Sequence, residues 1–145
     1  MPDLHDVCRG LLQDLHGALG LAVVDLETGL CLAAAHTVPY FTQAYMDVVS
    51  AIGAEYFRGQ AISNLERVLS SHRGQPVLHA VREIHMVTKG TAHFMAVVPE
   101  RPNAILCLVM PLPIDLTSGV AMLHRGLAVV TAYIPAAPAD KAGPA

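Results

Sequence analysis

Apolar residues recur at helical spacing in Leu4, Val7, Cys8, Leu11, Leu12 and Leu15, behind a candidate N-cap at Asp3. The pattern predicts an amphipathic helix that Gly17 and Gly20 end. Two short apolar runs, residues 21–26 and 30–36, flank Glu27-Thr28-Gly29 and read as a β-hairpin. Pro39 suits the first turn of a second helix, expected over residues 40–58. There Phe41, Tyr45, Val48, Ile52 and Tyr56 form one apolar stripe, and Met46, Val49, Gly53 and Phe57 form another beside it. Gln43, Asp47, Ser50, Ala54 and Arg58 leave only a narrow polar strip, so the helix is expected to pack against more than one surface. A helix-interior glycine costs ~1 kcal/mol relative to alanine. Gly53 therefore marks either a close helix–helix approach around Ser50, Gly53 and Ala54 or a tolerated kink.

Ser63-Asn-Leu-Glu66 has the form of a capping box and predicts a short helical piece to about Ser71, stopped by Gly74 and Pro76. Strands are expected over residues 81–88 and 91–98 around Lys89-Gly90, a two-residue hairpin signal. Residues 104–110 are apolar at consecutive positions, as in a strand covered on both faces and central in its sheet. Asp115 or Thr117 can cap a last helix that carries Leu116, Val120, Leu123, Leu127, Val130 and Ile134 up to Pro135. The order α-β-β-α-β-β-β-α implies an α+β fold, a five-stranded antiparallel sheet flanked by helices on both faces.

Composition sharpens the question of what covers the apolar surface. Of 145 residues, 53% are hydrophobic and 14% charged, against ~25% charged in ordinary soluble domains. The length fits one domain, expected over 1–134, with residues 135–145 as a flexible Pro/Ala-rich tail. The longest uncharged apolar stretch, 104–114, holds two prolines and is shorter than the ~20 residues a spanning helix needs. The acidic start, Met1-Pro-Asp-Leu-His-Asp, is unlike a signal peptide. The remaining destination for the apolar surface is a protein partner, with no membrane insertion. The net charge of −3, with nine scattered Lys and Arg, argues against nucleic acid as a partner. Three cysteines without close pairs, Cys8, Cys31 and Cys107, read as free thiols in the cytoplasm.

The chain lacks phosphate-loop, dinucleotide, zinc-protease and nucleophile-elbow strings, and it has no C-x-x-C. Eight histidines invite a metal test. His5 and Cys8 are helical neighbours, but only the distant His16 could join them. With Lys89-Gly90 as the turn, His85 opposes Phe94 and His93 opposes Met86, so the two histidines leave opposite faces of the sheet. His72 and His79 fall in a loop. Ser118 and His124 lie ~240° apart around a helix, too far to act as nucleophile and base with Asp115. Cys107 sits within an apolar strand and is expected to be buried and inert. The expectation is a chain without catalytic residues, metal or cofactor.

Gly20-Leu-Ala-Val-Val-Asp-Leu-Glu-Thr-Gly-Leu-Cys-Leu-Ala resembles the first hairpin of the Roadblock (dynein light-chain roadblock-type) domain. Residues 83–98 and 104–110 resemble its second hairpin and central strand, and 116–133 stand where its last helix stands. The resemblance covers residues 3–134. Two departures stand out: 60–80 is long for the family, and Asp115-Leu-Thr-Ser-Gly119 replaces its usual entry to the last helix. The resemblance implies a Roadblock/profilin-like fold and a homodimer formed through the long second helix and the third strand. Carried onto this chain, the interface would take in Tyr45, Met46, Val49, Ile52, Gly53, Tyr56, His85 and Val87. It further implies a non-enzymatic adaptor or regulator, since several such domains bind small Ras-like GTPases. The alternative is a PAS- or profilin-like sensory domain that binds a small ligand.

Overall fold

The computed structural model describes residues 2–136. Asp3 caps α1 (Leu4–Asp14), accepting from the Asp6 amide at 2.8 Å, while Asp6 accepts from the Asp3 amide at 3.1 Å. This reciprocal box satisfies two amides that a helix end otherwise leaves orphaned. β1 (Gly20–Asp25) and β2 (Cys31–His36) then form the first hairpin, with a bulge between Val23 and Val24. At its turn, Asp25 accepts from the Glu27 amide and the Thr28 hydroxyl, and Gly29 takes a left-handed φ of 75°. β3 (Glu83–Val87), β4 (Thr91–Val98) and β5 (Arg101–Pro111) complete a single antiparallel sheet in the order β2-β1-β5-β4-β3.

β5 is the central strand, and Ala104 to Met110 are buried without interruption. Its alternate side chains serve two cores. Leu106 and Leu108 pack with Leu21, Val23 and Phe94 beneath α1 and α4 (Leu116–Val130). Ile105, Cys107 and Val109 pack with Val24, Met95 and Phe57 beneath α2 (Gln43–Arg58). Period-two alternation in a strand covered on both sides produces this division. Each fully buried Leu, Ile or Phe contributes ~1.5–3 kcal/mol of transfer free energy.

Four local expectations are corrected. α2 begins at Gln43 rather than at residue 40, because the Thr42 side chain accepts from the Tyr45 amide and Tyr40 and Phe41 stay in the preceding turn. α3 (Gln60–Arg73) is longer than the piece drawn from Ser63. Ser63 is no cap: its amide bonds the Gly59 carbonyl inside a helix already begun. α4 stops at Val130, and Thr131–Tyr133 form a 3-10 turn. Ser50, assigned to the polar strip, is fully buried. The proposed tail falls largely outside the described residues, which end at 136.

Candidate interaction surface

The residues expected at a dimer interface divide between the chain's own core and its surface. Met46 is buried in the core beneath α2. Gly53 faces β5: a Cβ there would stand 3.3 Å from Ile105 Cδ1 and 3.9 Å from Cys107 Sγ. The close approach at Gly53 is therefore helix to sheet within one chain, not helix to helix. Tyr45 is half-buried and stacks on Phe41, with ring centroids 4.7 Å apart and planes 10° apart. Val49 is partly buried. Ile52 and Tyr56 point outward, 45% and 41% exposed, in line with Val48 at 60%. His85 and Val87 are exposed on β3, which pairs on one side with β4 and is an edge of the sheet.

Two further apolar residues, Leu65 and Val68 of α3, are exposed at 46% and 53%. The short helix drawn from sequence contained both residues, but their exposure depends on where α3 lies. No residue of α3 is buried, and the helix packs against α2. Gly59 is the joint between α2 and α3, ending one helix and starting the next in an extended conformation. A Cβ at Gly59 would collide with Glu55.

Glu83 accepts from two histidines, His85 Nε2 at 2.7 Å and His124 Nε2 at 2.6 Å. One carboxylate thereby ties edge strand β3 to α4. Its partners lie in separate elements, and no sequence spacing announced them. Ser118 donates to Asp115 at 3.0 Å, so neither residue meets His124 as a catalytic set would require. His85 and His93 oppose Phe94 and Met86, in the register read from the Lys89-Gly90 turn. Burial pushes the Cys8 and Cys107 thiols up to about 12 and raises that of Cys31. These thiols stay protonated near neutral pH, when they are poor nucleophiles. Among the described residues, no group of three or more His, Cys, Asp or Glu is placed to hold a metal ion. Nor is any helix among them long and apolar enough to cross a membrane.

A scan against protein-family models finds no match, and a search of curated proteins finds none either. Solved structures do match. Myxococcus xanthus MglB is similar to this chain at 13% identity and a TM-score of 0.63, covering 89% of this chain and 92% of that one. A Roadblock/LC7 domain from Streptomyces avermitilis matches at 14% identity and a TM-score of 0.65, over 91% of this chain and 98% of that one. Acanthamoeba castellanii profilin IA matches less well, with a TM-score of 0.50 at 12% identity, over 90% and 98% of the two chains. Sheet order, helices on both faces and near-complete overlap together show that this chain has the Roadblock/LC7 fold.

Proposed function

We propose that the protein is a homodimeric, non-enzymatic adaptor of the Roadblock type, located in the cytoplasm, that binds or regulates a small Ras-like GTPase. One observation carries the reading: the exposed stripe Val48, Ile52 and Tyr56 on α2 lies in the same domain as the unpaired β3 edge. Apolar side chains aligned on one helix face call for a covering surface. An unpaired strand edge offers backbone donors and acceptors to a second copy. A two-fold axis satisfies both needs with one patch, because each copy presents what the other requires. Two β3 edges then join antiparallel, and the two α2 stripes meet across the axis. Ile52, Tyr56, His85 and Val87 form the shared surface, with Tyr45 and Val49 at its margin. Met46 and Gly53 support the surface from below by seating α2 on the sheet.

Sedimentation equilibrium tests the dimer. The wild type is expected to sediment as a dimer at micromolar concentration, and Ile52→Glu as a folded monomer. Ile52 is exposed, so the substitution leaves the core intact. A wild-type monomer at that concentration would overturn the reading. The GTPase step is tested by titrating the dimer with Ras-like GTPases loaded with a non-hydrolysable GTP analogue. Binding by the dimer that the Ile52→Glu monomer loses is the expected result, and no binding by either form counts against this partner class.

A further inference from the structure

The last turn of α2, the loop from α3 into β3 and the Pro99–Glu100 turn enclose a cleft of about 150 Å3. Arg58, His79, Arg82, Glu100 and Pro102 line it. A water needs only ~10–15 Å3 of such space, so the cleft admits a multi-atom ligand. Its lining brings two guanidinium groups and an imidazole together with the Glu100 carboxylate. Arg58 donates through Nη2 to the Pro102 carbonyl at 2.5 Å, while Nη1 is buried without a hydrogen-bond partner. A buried donor left unmade costs the full desolvation of that group, so a site that retains one is poised for an acceptor.

The backbone at the cleft is also unusual. His79 has a φ of 53° and Glu100 a φ of 61°, and these are the non-glycine residues in the left-handed region among those described. Glu100 follows Pro99 in a two-residue connection between paired Val98 and Arg101, where a type II turn requires positive φ. His79 stands beside the Ala80 amide that Glu66 holds, and left-handed residues of this kind gather at ligand clamps. Burial, then Arg58 and Arg82, disfavour the charged form of His79. The nearby carboxylates are Glu66, which accepts from the Ala80 amide at 2.8 Å, and Glu100 in the lining.

We propose that this cleft binds a tetrahedral oxyanion, held by the guanidinium groups of Arg58 and Arg82 and capped by His79. The forked guanidinium suits such oxygens. An anion in the cleft offsets the repulsion that Arg58 and Arg82 exert on His79, so His79 takes up a proton as the anion binds. Affinity therefore rises as pH falls through the histidine range. Glu66, whose charge acts on both Arg58 and His79, and Glu100 in the lining oppose the anion, so the two guanidinium groups have to outweigh them. The ligand is either the free ion or a phosphate monoester.

The test is isothermal titration of the full chain with inorganic phosphate and separately with glycerol 3-phosphate, against chloride at equal ionic strength. Saturable binding of either is expected, with amide NMR shifts confined to residues 58, 79–82, 97, 98, 100 and 101. The tighter of the two tells the free ion from the ester. Arg82→Gln is expected to weaken binding about tenfold or more, the loss of a charge-assisted contact. Sulfate, whose charge is constant near neutrality, is expected to bind more tightly at about pH 5.5 than at about pH 7.5, a dependence that His79→Asn removes. Asparagine tolerates the left-handed backbone, so that variant remains folded. No saturable binding of either phosphate, or binding that Arg82→Gln leaves unchanged, overturns the site. A dimer without anion binding would still leave the adaptor reading standing.

Discussion

Single residues carry several of the forces in this domain. Ser50 is fully buried, its hydroxyl beside the Cys31 thiol and without a partner in hydrogen-bond geometry. An unsatisfied buried hydroxyl costs ~1–3 kcal/mol. Ser50→Ala is therefore expected to raise the urea midpoint, by about 1 kcal/mol once packing is allowed for. A loss of stability would mean that the hydroxyl is in fact satisfied. His93 on β4 is the second case. It sits partly buried with Nε2 2.9 Å from the Thr91 hydroxyl, and burial lowers its pKa below the ordinary 6.5. Below that ordinary value the unfolded chain takes up a proton that the folded chain does not hold until a lower pH. The unfolded state then binds more protons, so stability falls as pH drops below ~6.5. His79 is shifted the same way and adds to the slope. Urea midpoints measured across this range are expected to show the decline, and His93→Gln to flatten it. An unchanged slope in the variant would clear His93 of the effect.

At the scale of elements, the seat of α4 rests on two glycines. A Cβ at Gly119 would collide with the Phe94 ring, and one at Gly126 would stand 2.9 Å from Leu106 Cδ2. Alanine gains ~1 kcal/mol of helix propensity over glycine, whereas overpacking a full core costs ~1–3 kcal/mol. At Gly119 the second effect wins, because Phe94 is fully buried with no room to yield. Gly119→Ala is expected to lower stability by ~1–2 kcal/mol, read from the denaturant midpoint at constant slope. A gain would mean that α4 lifts freely from the sheet. These contacts also separate what was legible in the chain from what was not. The hairpins were legible because alternation and turn residues act over a few positions, and β5 because a run apolar at every position has to be covered twice. On the second helix Phe57 and Met46 are inside, although the resemblance puts Met46 at the dimer interface. Ser50 was missed because a small hydroxyl at a core position looks polar on a wheel. α3 was cut short because Ser63 and Glu66 have capping spacing, while Gly59 makes the actual break. The interface expectation mixed residues that seat α2 with residues that α2 displays, and spacing alone does not tell inside from outside on a helix apolar over so wide an arc. The cleft at Arg58 and His79 was not legible, since its parts come from three distant segments.

For the whole molecule, the apolar excess in the composition now has two addresses. Most of it fills two cores on either side of β5. The remainder is exposed, in part as Val48, Ile52 and Tyr56 on α2 and Leu65 and Val68 on α3, and otherwise on strands, loops and α4. A dimer that covers the α2 stripe couples folding to association. Its melting temperature is therefore expected to rise with protein concentration, whereas that of Ile52→Glu is not. A concentration-independent wild type would place the stripe in solvent.

The central position of β5 has a consequence for how the chain is made. β1 reaches its inner partner, Asp25 to Ala104 and Gly20 to Val109, across about eighty residues of sequence or more. Translation at ~5–20 residues per second leaves the first hairpin waiting roughly 4–16 s for that strand. Throughout that interval Leu21, Val23 and Val24, all buried in the finished domain, lack their cover. The nascent chain is thus most vulnerable to aggregation, and most in need of a chaperone, before β5 leaves the ribosome.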